Sequence, residues 1–196
     1  MLSYSESLKI LKETEALLEG HFILSSGLHS NRYVQCAKLL SQPMKAEIIC
    51  VSLVEKIKNN FGKIDIVLSP AIGGIVVGYI IGKHLEAQTI FAERVENKLC
   101  LRRGFSIPKD SKVLVVEDVV TTGKSALECS KIVMKNEAKI IGYACIIDRS
   151  NNKLLIKDKI ISQIKIEIPI FGEDDLPNDL KKIPAIKPGS RDLSNE

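Results

Sequence analysis

Four near-continuous apolar runs in the chain predict buried β-strands. They are Asp65–Ser69, Gln88–Glu93, Lys112–Asp118 and Lys139–Asp148. Runs that are apolar on both faces are typical of a parallel sheet with helices packed on each side. The segments between them that predict helices are Gly74–His84 and Gly123–Lys135. This alternation of strand and helix predicts an α/β fold with a doubly wound, mostly parallel sheet.

Other patterns precede and follow these runs. Leucines at helical spacing predict an amphipathic helix over Ser5–Glu19, and two short strands around a Ser-Gly turn are predicted within His21–Cys36. Pro43 marks the expected start of another helix, because proline is favoured in the first helical turn. The tail after Ile170 is rich in proline and charge, and it predicts a cover over one edge of the fold.

The composition predicts a single domain spanning 1–196, since 45% of the 196 residues are hydrophobic and 27% are charged. The net charge of +4 comes from basic residues spread along the chain, which gives no indication of nucleic-acid binding. The five cysteines include no CxxC pair, which argues against a disulfide framework or a zinc site. The most apolar run, Ala71–Gly82, is too short to span a bilayer. We therefore expect a cytoplasmic protein without a membrane segment.

The stretch VVEDVVTTGKSALE, Val115–Glu128, combines a strand end, two acids, a short turn and a helix. In open α/β sheets, ligands bind outside the carboxyl ends of the strands, at turns of this kind. The letters GKS suggest the nucleoside triphosphate loop, but that loop requires a glycine where Asp118 stands. A carboxylate there would repel the β- and γ-phosphates, so the sequence excludes this loop.

The two acids are explained if the bound phosphate belongs to a sugar. Backbone N–H groups of Thr122–Ser125, at the start of a helix, would hold a terminal monophosphate. Glu117 and Asp118 would then accept hydrogen bonds from the vicinal hydroxyls of ribose. The alternative is a plain strand–turn–helix capped by Thr122, with both acids at an exposed strand end.

This stretch resembles the phosphoribosyl pyrophosphate (PRPP) signature of the type I phosphoribosyltransferases. That signature has an apolar strand, two acids, two aliphatic residues, a threonine, a small residue, a glycine and a hydroxyl residue. The resemblance implies PRPP binding by Glu117, Asp118, Val119, Val120, Thr121, Thr122, Gly123, Lys124 and Ser125. It also implies the fold of that family, with residues 1–42 and 170–196 contributing a small hood and edge elements.

A second segment, FILSSGLHSNRYVQCAKLL from Phe22 onward, resembles the orotate-binding segment of the orotate phosphoribosyltransferases. The positions implied for orotate binding are Ser25, Ser26, Gly27, Thr121 and Arg149. Arg149 follows a strand, as the arginine of those enzymes does, and would hold the orotate carboxylate through two hydrogen bonds. His29 lies in the same turn region and is a further candidate contact, whereas His21 and His84 are expected to be structural.

Two further segments match parts of this family. The turn after the first central strand resembles its pyrophosphate loop, at positions Ala71, Ile72, Gly73 and Gly74. A plain strand–helix turn is the alternative. The segment RVENKLCLRRGF has the place of the mobile catalytic lid, whose candidates for contacting pyrophosphate are Arg94, Lys98, Arg102 and Arg103. A solvated charged loop is the alternative there. The family's lid carries a histidine that this segment lacks, so the basic residue that contacts the leaving group stays open.

The resemblance implies transfer of phosphoribosyl from PRPP to orotate, giving orotidine 5′-phosphate and pyrophosphate, in pyrimidine biosynthesis. It further implies Mg²⁺ held through substrate and water, without a direct protein ligand, and a homodimer in which one lid completes the neighbouring site. Two alternatives stay open: a phosphoribosyltransferase for another base, and a PRPP-sensing regulator without catalysis. The regulator would need a DNA-reading module, and the segment before Ile64 predicts helices separated by a hairpin instead.

Overall fold

The fold centres on a six-stranded sheet in a computed structural model that describes residues 1–24, 26–150 and 154–188. The strands are β1 (Leu17–Ile23), β2 (His29–Val34), β3 (Ile66–Pro70), β4 (Gln88–Val95), β5 (Lys98–Leu101), β6 (Lys112–Val120), β7 (Lys139–Asp148) and β8 (Ile160–Lys165). The helices are α1 (Tyr4–Glu13), α2 (Cys36–Leu40), α3 (Pro43–Lys58), α4 (Gly73–Leu85), α5 (Lys124–Lys135) and α6 (Asn178–Lys181). All strands and helices expected from the central runs are present.

The large sheet has the order β5-β4-β3-β6-β7-β8, and β1 and β2 form a separate hairpin. Neighbouring strands of the large sheet are parallel, except for β4 and β5, which are antiparallel. The mostly parallel α/β sheet predicted from the sequence is therefore confirmed. Because parallel strands end at the same edge, the loops after β3, β6 and β7 lie side by side.

The first helix is shorter than the sequence predicted. It ends at Glu13, and Glu15 adopts a left-handed φ of 57°. From there the chain enters β1, where Leu17 pairs with Val34 of β2. The predicted continuation of the helix to Glu19 is wrong, because pairing with a distant strand outweighs the local helical spacing of the leucines.

Strand β6 divides the hydrophobic core into two layers, since side chains alternate between the faces of a strand. Leu114 and Val116 belong to the cluster that includes α3 and α4, whereas Val113 and Val115 belong to the cluster that includes α5. All four side chains are almost fully excluded from solvent. This packing fixes the register of β6 and so the place where its acidic end emerges at the edge of the sheet.

The C-terminal tail hydrogen-bonds to both outer edges of the β1–β2 hairpin. On one side the Ile23 N–H donates to the Ile186 carbonyl, at 2.9 Å. On the other side, His29 and Phe171 exchange two backbone hydrogen bonds of 2.9 Å each. The tail therefore extends the hairpin on both sides. In the described part of the chain, no helix has the length and apolarity needed to cross a bilayer.

Candidate active site

The turn between β6 and α5 presents free backbone donors at the carboxyl edge of the sheet. Gly123 adopts a φ of +75° and immediately precedes α5, whose first turn has no capping side chain. The hydroxyl of Thr122 accepts a long hydrogen bond, 3.4 Å, from the Lys124 N–H. The N–H groups that begin α5 are consequently available to an anion, as the helix dipole favours.

This turn and the loop after β3 enclose a cleft of about 220 Å³. The lining residues are Pro70, Ala71, Gly73, Gly74, Glu117, Asp118, Val119, Thr121, Thr122, Gly123, Lys124 and Ser125. The structure therefore brings together the segments predicted to bind PRPP and pyrophosphate. Two of the predicted positions do not line the cleft, because Val120 is buried in the core and Ile72 is 85% exposed to solvent.

Two glycines at the cleft lie so close to other side chains that a Cβ atom would force those side chains to shift. A Cβ atom at Gly73 would lie 2.9 Å from both carboxylate oxygens of Asp118. A Cβ atom at Gly123 would lie 2.6 Å from Ile156 Cδ1, and its positive φ also disfavours any other residue. Asp118, the acid before the turn between β6 and α5 (the sugar turn, Val119–Gly123), thus lies directly against the candidate pyrophosphate loop. Within that loop, the peptide bond between Ala71 and Ile72 is cis.

Glu117 and Asp118 hold carboxyl groups where burial disfavours their charge. Burial, with a smaller contribution from Asp118, raises the pKa of Glu117 to about 7. Burial also raises the pKa of Asp118, although backbone hydrogen bonds at Val119 and Asp118 oppose that rise. Perturbed acids in a cleft are typical of functional sites. Their oxygens suit ligand groups that donate hydrogen bonds or carry positive charge.

Arg149 lies between the hairpin and the sugar turn. Its N–H donates to the Val120 carbonyl at 2.8 Å, and its Nε atom is buried without a hydrogen-bond partner among the described residues. Burial lowers the pKa of Arg149, while the neighbouring Tyr33 and Cys36 act in the opposite direction. A guanidinium stays charged in proteins, so a partly buried one without a counter-ion fits an anionic ligand.

Sequence reasoning missed Tyr33 and Cys36, which the structure places beside Arg149. Cys36 Sγ lies 3.9 Å from the Asp118 carbonyl, so the end of the hairpin contacts the acidic end of β6. The ring of Tyr33 packs on Phe22, with ring centroids 5.8 Å apart. Their place in the sequence could have indicated this role, because both residues lie within the segment that resembles the orotate-binding segment.

The tip of the β1–β2 hairpin lies at the surface. Ser26 and Gly27 are exposed, and the Gly27 N–H donates to the Leu24 carbonyl at 2.9 Å within the turn. In the described residues, no hydrogen bond connects Ser26 or Gly27 to Arg149 or to the cleft. Ser25 lies outside the described residues. Orotate contacts at this turn therefore remain predictions.

Each of the three histidines has a polar partner within the fold. His21 Nε2 lies 2.7 Å from His29 Nδ1, and His21 Nδ1 lies 2.9 Å from the Ile183 carbonyl. His84 Nε2 lies 2.6 Å from a carboxylate oxygen of Glu47. His29, the candidate base contact, is thus held by His21 and keeps its second ring nitrogen for any ligand.

The basic segment after β4 folds back as a β-hairpin with β5. Arg94 approaches Glu128 of α5 with an N–O distance of 3.0 Å, in an ion pair that lacks hydrogen-bond geometry. Arg103 donates two hydrogen bonds, of 2.8 and 3.1 Å, to the carboxylate of Glu93. Two of the four lid candidates are therefore held by acids of the same chain.

The other two lid candidates, Lys98 and Arg102, are exposed. Neither has an ion-pair partner within the part of the chain that the structure describes. None of the four basic residues lines the cleft. Their contact with pyrophosphate therefore remains a prediction, and Lys98 and Arg102 are its best-placed candidates.

Comparisons with known proteins agree with this geometry. The chain matches the family model described as phosphoribosyl transferase domain over residues 38–175. The orotate phosphoribosyltransferase of Methylorubrum populi is 47% identical over 189 residues, which cover 96% of each chain. The crystal structure of orotate phosphoribosyltransferase from Aeropyrum pernix has a TM-score of 0.68 at 22% identity, covering 81% of this chain and 92% of that chain. For adenine phosphoribosyltransferase from Thermoanaerobacter pseudethanolicus, the TM-score is 0.59 at 16% identity, with 69% and 88% covered. The chain therefore belongs to the phosphoribosyl transferase family and, within it, to the orotate phosphoribosyltransferases.

Proposed function

We propose that the chain transfers the phosphoribosyl group of PRPP to orotate, giving orotidine 5′-phosphate and pyrophosphate in pyrimidine biosynthesis. The observation that carries this proposal is the partly buried Arg149, with an unpartnered Nε, next to a cleft with two acids and an uncapped helix start. The 47% identical relative, which bears the name of this activity, supports it. The test is release of pyrophosphate from PRPP when orotate is added, compared with adenine, hypoxanthine and uracil.

The sugar phosphate would occupy the cleft between the two loops. Its 5′-phosphate would accept hydrogen bonds from the N–H groups at the start of α5 and from the hydroxyls beside them. Glu117 and Asp118 would accept hydrogen bonds from the 2′- and 3′-hydroxyls of ribose. Asp118 lies against Gly73 of the candidate pyrophosphate loop, which we also call the glycine loop (Ala71–Gly74). A ribose held by this acid would therefore have its pyrophosphate next to the N–H groups of that loop.

Mg²⁺ is the cofactor we propose, and it would be held through the substrate and water without a direct protein ligand. Among the described residues, no group of three or more His, Cys, Asp or Glu side chains is arranged to hold a metal directly. Glu117 and Asp118 suit an indirect arrangement, because Mg²⁺ retains several waters and carboxylates accept hydrogen bonds from them. When bound, the ion would neutralise charge on the departing pyrophosphate.

Arg149 is the feature that favours orotate over other bases. Adenine phosphoribosyltransferases share the fold, so the fold does not select the base. An uncharged purine offers no counter-ion to a buried guanidinium, whereas the orotate carboxylate does. Tyr33, next to Arg149, would supply an aromatic surface for the flat pyrimidine ring.

The protein's contribution to the reaction is mainly positioning and charge neutralisation. Carbon 1 of ribose gains oxocarbenium character as its bond to pyrophosphate breaks, and the ring nitrogen of orotate attacks from the opposite face. Holding the phosphate on α5 and the carboxylate on Arg149 fixes the two reactants at either end. Donors of the glycine loop and a basic lid would stabilise the charge that develops on the leaving group.

We propose a homodimer that uses the exposed face of α4. Ile72, Val76 and Tyr79 are exposed by 85%, 44% and 66%, and their spacing places them on one face of this helix. Exposed apolar patches are frequently protein contact surfaces. Since the patch begins at the pyrophosphate loop, a second copy packed there would lie beside the cleft and could supply its lid.

We place the chain in the cytoplasm, acting on small molecules and not on nucleic acid or a membrane. All five cysteines are free thiols and four of them are buried. Thiols remain reduced in that compartment, which supports the assignment. Cell fractionation that recovered the protein with a membrane would contradict it.

The lid and the homodimer can be tested in one experiment. We expect the double variant Lys98→Ala/Arg102→Ala to lose about tenfold in turnover with little change in PRPP affinity, because its charges act as pyrophosphate departs. If one lid serves the neighbouring site, mixing this variant with Asp118→Asn should restore activity. The restored level is about a quarter of wild type, because half of the dimers are mixed and each has one complete site.

The control for this experiment is Lys109→Ala, which removes a lysine paired with Glu137 away from the cleft. It should leave turnover unchanged. Absence of restoration on mixing would assign each lid to its own subunit. Wild-type turnover of the double variant would remove Lys98 and Arg102 from the mechanism.

PRPP binding near neutral pH is expected to release protons. In the free protein burial raises the pKa of Glu117 to about 7, so this acid is partly protonated. The ionised carboxylate is the stronger acceptor for the ribose hydroxyls, so PRPP favours loss of this proton. PRPP affinity should therefore rise as the pH increases through 7. Calorimetry in buffers of different ionisation enthalpy measures the number of protons released. The substitution Glu117→Gln should abolish the proton release that comes from this residue. Heats that do not depend on the buffer would contradict the assignment.

The same shift has a consequence for stability. The pKa of Glu117 rises from its ordinary 4.5 to about 7 on folding, so the folded protein binds the extra proton between these values. The contribution of this group to the free energy of unfolding is therefore complete below pH 4.5, and it is lost as the pH rises from 4.5 through 7. The loss is on the order of 3 kcal/mol, at about 1.4 kcal/mol for each pH unit. Glu117→Gln should accordingly raise the melting temperature of the free protein at pH 8.

A further inference from the structure

A short segment after β7 contacts the turn between β6 and α5, the proposed phosphate-binding turn, from outside the cleft. It is Leu154–Ile156, which we call the strap. The Leu155 N–H donates a hydrogen bond of 2.9 Å to the carbonyl of Thr122. The strap does not line the cleft, whereas Thr122 and Gly123 do. It therefore holds the turn from behind, relative to a bound ligand.

The strap also fills the space beside Gly123. Ile156 is 5% exposed, and its Cδ1 atom lies 2.6 Å from where a Cβ atom at position 123 would be. Leu154 Cδ1 is 3.6 Å from the same point. Ile156 belongs to the core cluster that contains Ala126 and Cys129 of α5. The turn is therefore packed against the core through a residue that is distant from it in sequence.

The hydrogen bond from the strap determines the direction of a peptide group in the turn. In a trans peptide, the C=O and N–H groups point in opposite directions. Because the Thr122 carbonyl is directed to Leu155, the Gly123 N–H is directed away from the strap. Both residues of this peptide line the cleft. The strap thus fixes the direction of a donor in the part of the turn that lines the cleft.

We infer that the strap positions the phosphate-binding turn, so that Leu155 and Ile156 set the affinity for the 5′-phosphate without touching it. The inference rests on the proposed binding of a sugar phosphate in this cleft. Both residues are positioning residues, because they act through Thr122 and Gly123. A residue that only stabilised the fold would change the melting temperature but would leave the phosphate affinity of the folded protein unchanged.

The probe for the test is ribose 5-phosphate, titrated by calorimetry into the full chain. It carries the phosphate without pyrophosphate or base, so its binding does not depend on turnover. Ile156→Ala removes the packing against the turn, and Leu155→Pro removes the donor to Thr122. The matched controls are Leu155→Ala, which keeps the N–H, and Ile64→Ala. Ile64 is a similarly buried isoleucine that precedes β3, at the amino ends of the strands and away from the cleft.

We expect both strap variants to weaken ribose 5-phosphate binding by roughly fivefold to tenfold, the effect of losing one ordered hydrogen bond in the site. Ile156→Val should recover most of the affinity, and both controls should bind as wild type. Ile156→Ala keeps the test decisive if Leu155→Pro does not fold. Unchanged affinity in Ile156→Ala, or equal weakening in Ile64→Ala, would overturn the inference. Normal ribose 5-phosphate binding without orotate consumption would reject the proposed function and leave the strap inference standing.

Discussion

Asp118→Asn is expected to lower turnover with PRPP and orotate by between about 10- and 100-fold. The carboxylate of Asp118 lies against Gly73, where a Cβ atom would be 2.9 Å from both of its oxygens. The amide has nearly the same size, so the cleft should keep its shape. One oxygen acceptor is replaced by a donor facing a ribose hydroxyl, and a lost hydrogen bond to a charged group costs about 1.5–3 kcal/mol. The effect should fall on PRPP affinity and on turnover, not on orotate affinity.

The control for this substitution is Asp65→Asn at the other end of the sheet. Asp65 accepts a hydrogen bond from the Lys112 N–H and lies outside the cleft. Steady-state kinetics of the two variants should differ in the KM for PRPP. If Asp118→Asn kept wild-type turnover and PRPP affinity, the assignment of this acid to the sugar hydroxyls would be wrong.

Arg149→Ala should raise the KM for orotate by about 100-fold while changing the KM for PRPP by less than about threefold. The guanidinium is partly buried, and its Nε has no hydrogen-bond partner among the described residues, so its binding capacity is free for a carboxylate. Charge-assisted pairs with two parallel hydrogen bonds are among the strongest polar contacts. Arg149→Lys should recover only part of the affinity, because an ammonium group cannot form the paired geometry.

The stability of the Arg149 variant separates a ligand-binding role from a structural one. Removing a partly buried cation that has no ion-pair partner in the described part of the chain should leave the melting temperature unchanged or raise it. Arg32→Ala is the control on the neighbouring β1–β2 hairpin, where a guanidinium nitrogen of Arg32 lies 3.6 Å from a carboxylate oxygen of Glu19. It should not change the KM for orotate. Equal weakening of orotate and PRPP in Arg149→Ala would contradict the carboxylate contact.

The central strands could be predicted from sequence because most of their side chains are buried, on both faces in β3, β6 and β7, and local apolar runs reveal this burial. β5 and β8 could not be predicted in the same way. β5 is a short strand within a basic segment and pairs with β4 only by folding back. β8 mixes apolar and polar residues without a regular period and is parallel to β7, so its pairing depends on a neighbour distant in sequence. The end of α1 was mispredicted for a similar reason, because the leucines that follow it, Leu17 and Leu18, pair with β2.

The sugar turn and the glycine loop could be predicted because each is a contiguous stretch with residue types fixed by its chemistry. The surroundings of Arg149 could not, because Tyr33 and Cys36 reach it through tertiary folding. The same holds for Ile156, whose contact with Gly123 is set by the path of the chain after β7. The pairing of Arg94 with Glu128, and of Arg103 with Glu93, likewise follows from packing that a charge pattern does not specify.

Transfer of phosphoribosyl to orotate can be measured by following orotate absorbance with purified protein, PRPP and Mg²⁺. Parallel reactions would offer hypoxanthine, adenine or uracil and would follow pyrophosphate release. We expect orotate to be consumed only when PRPP and Mg²⁺ are both present, with no pyrophosphate released by the other bases. Pyrophosphate release with a purine or uracil, or no consumption of orotate by a protein that binds PRPP, would contradict the assignment of orotate to Arg149.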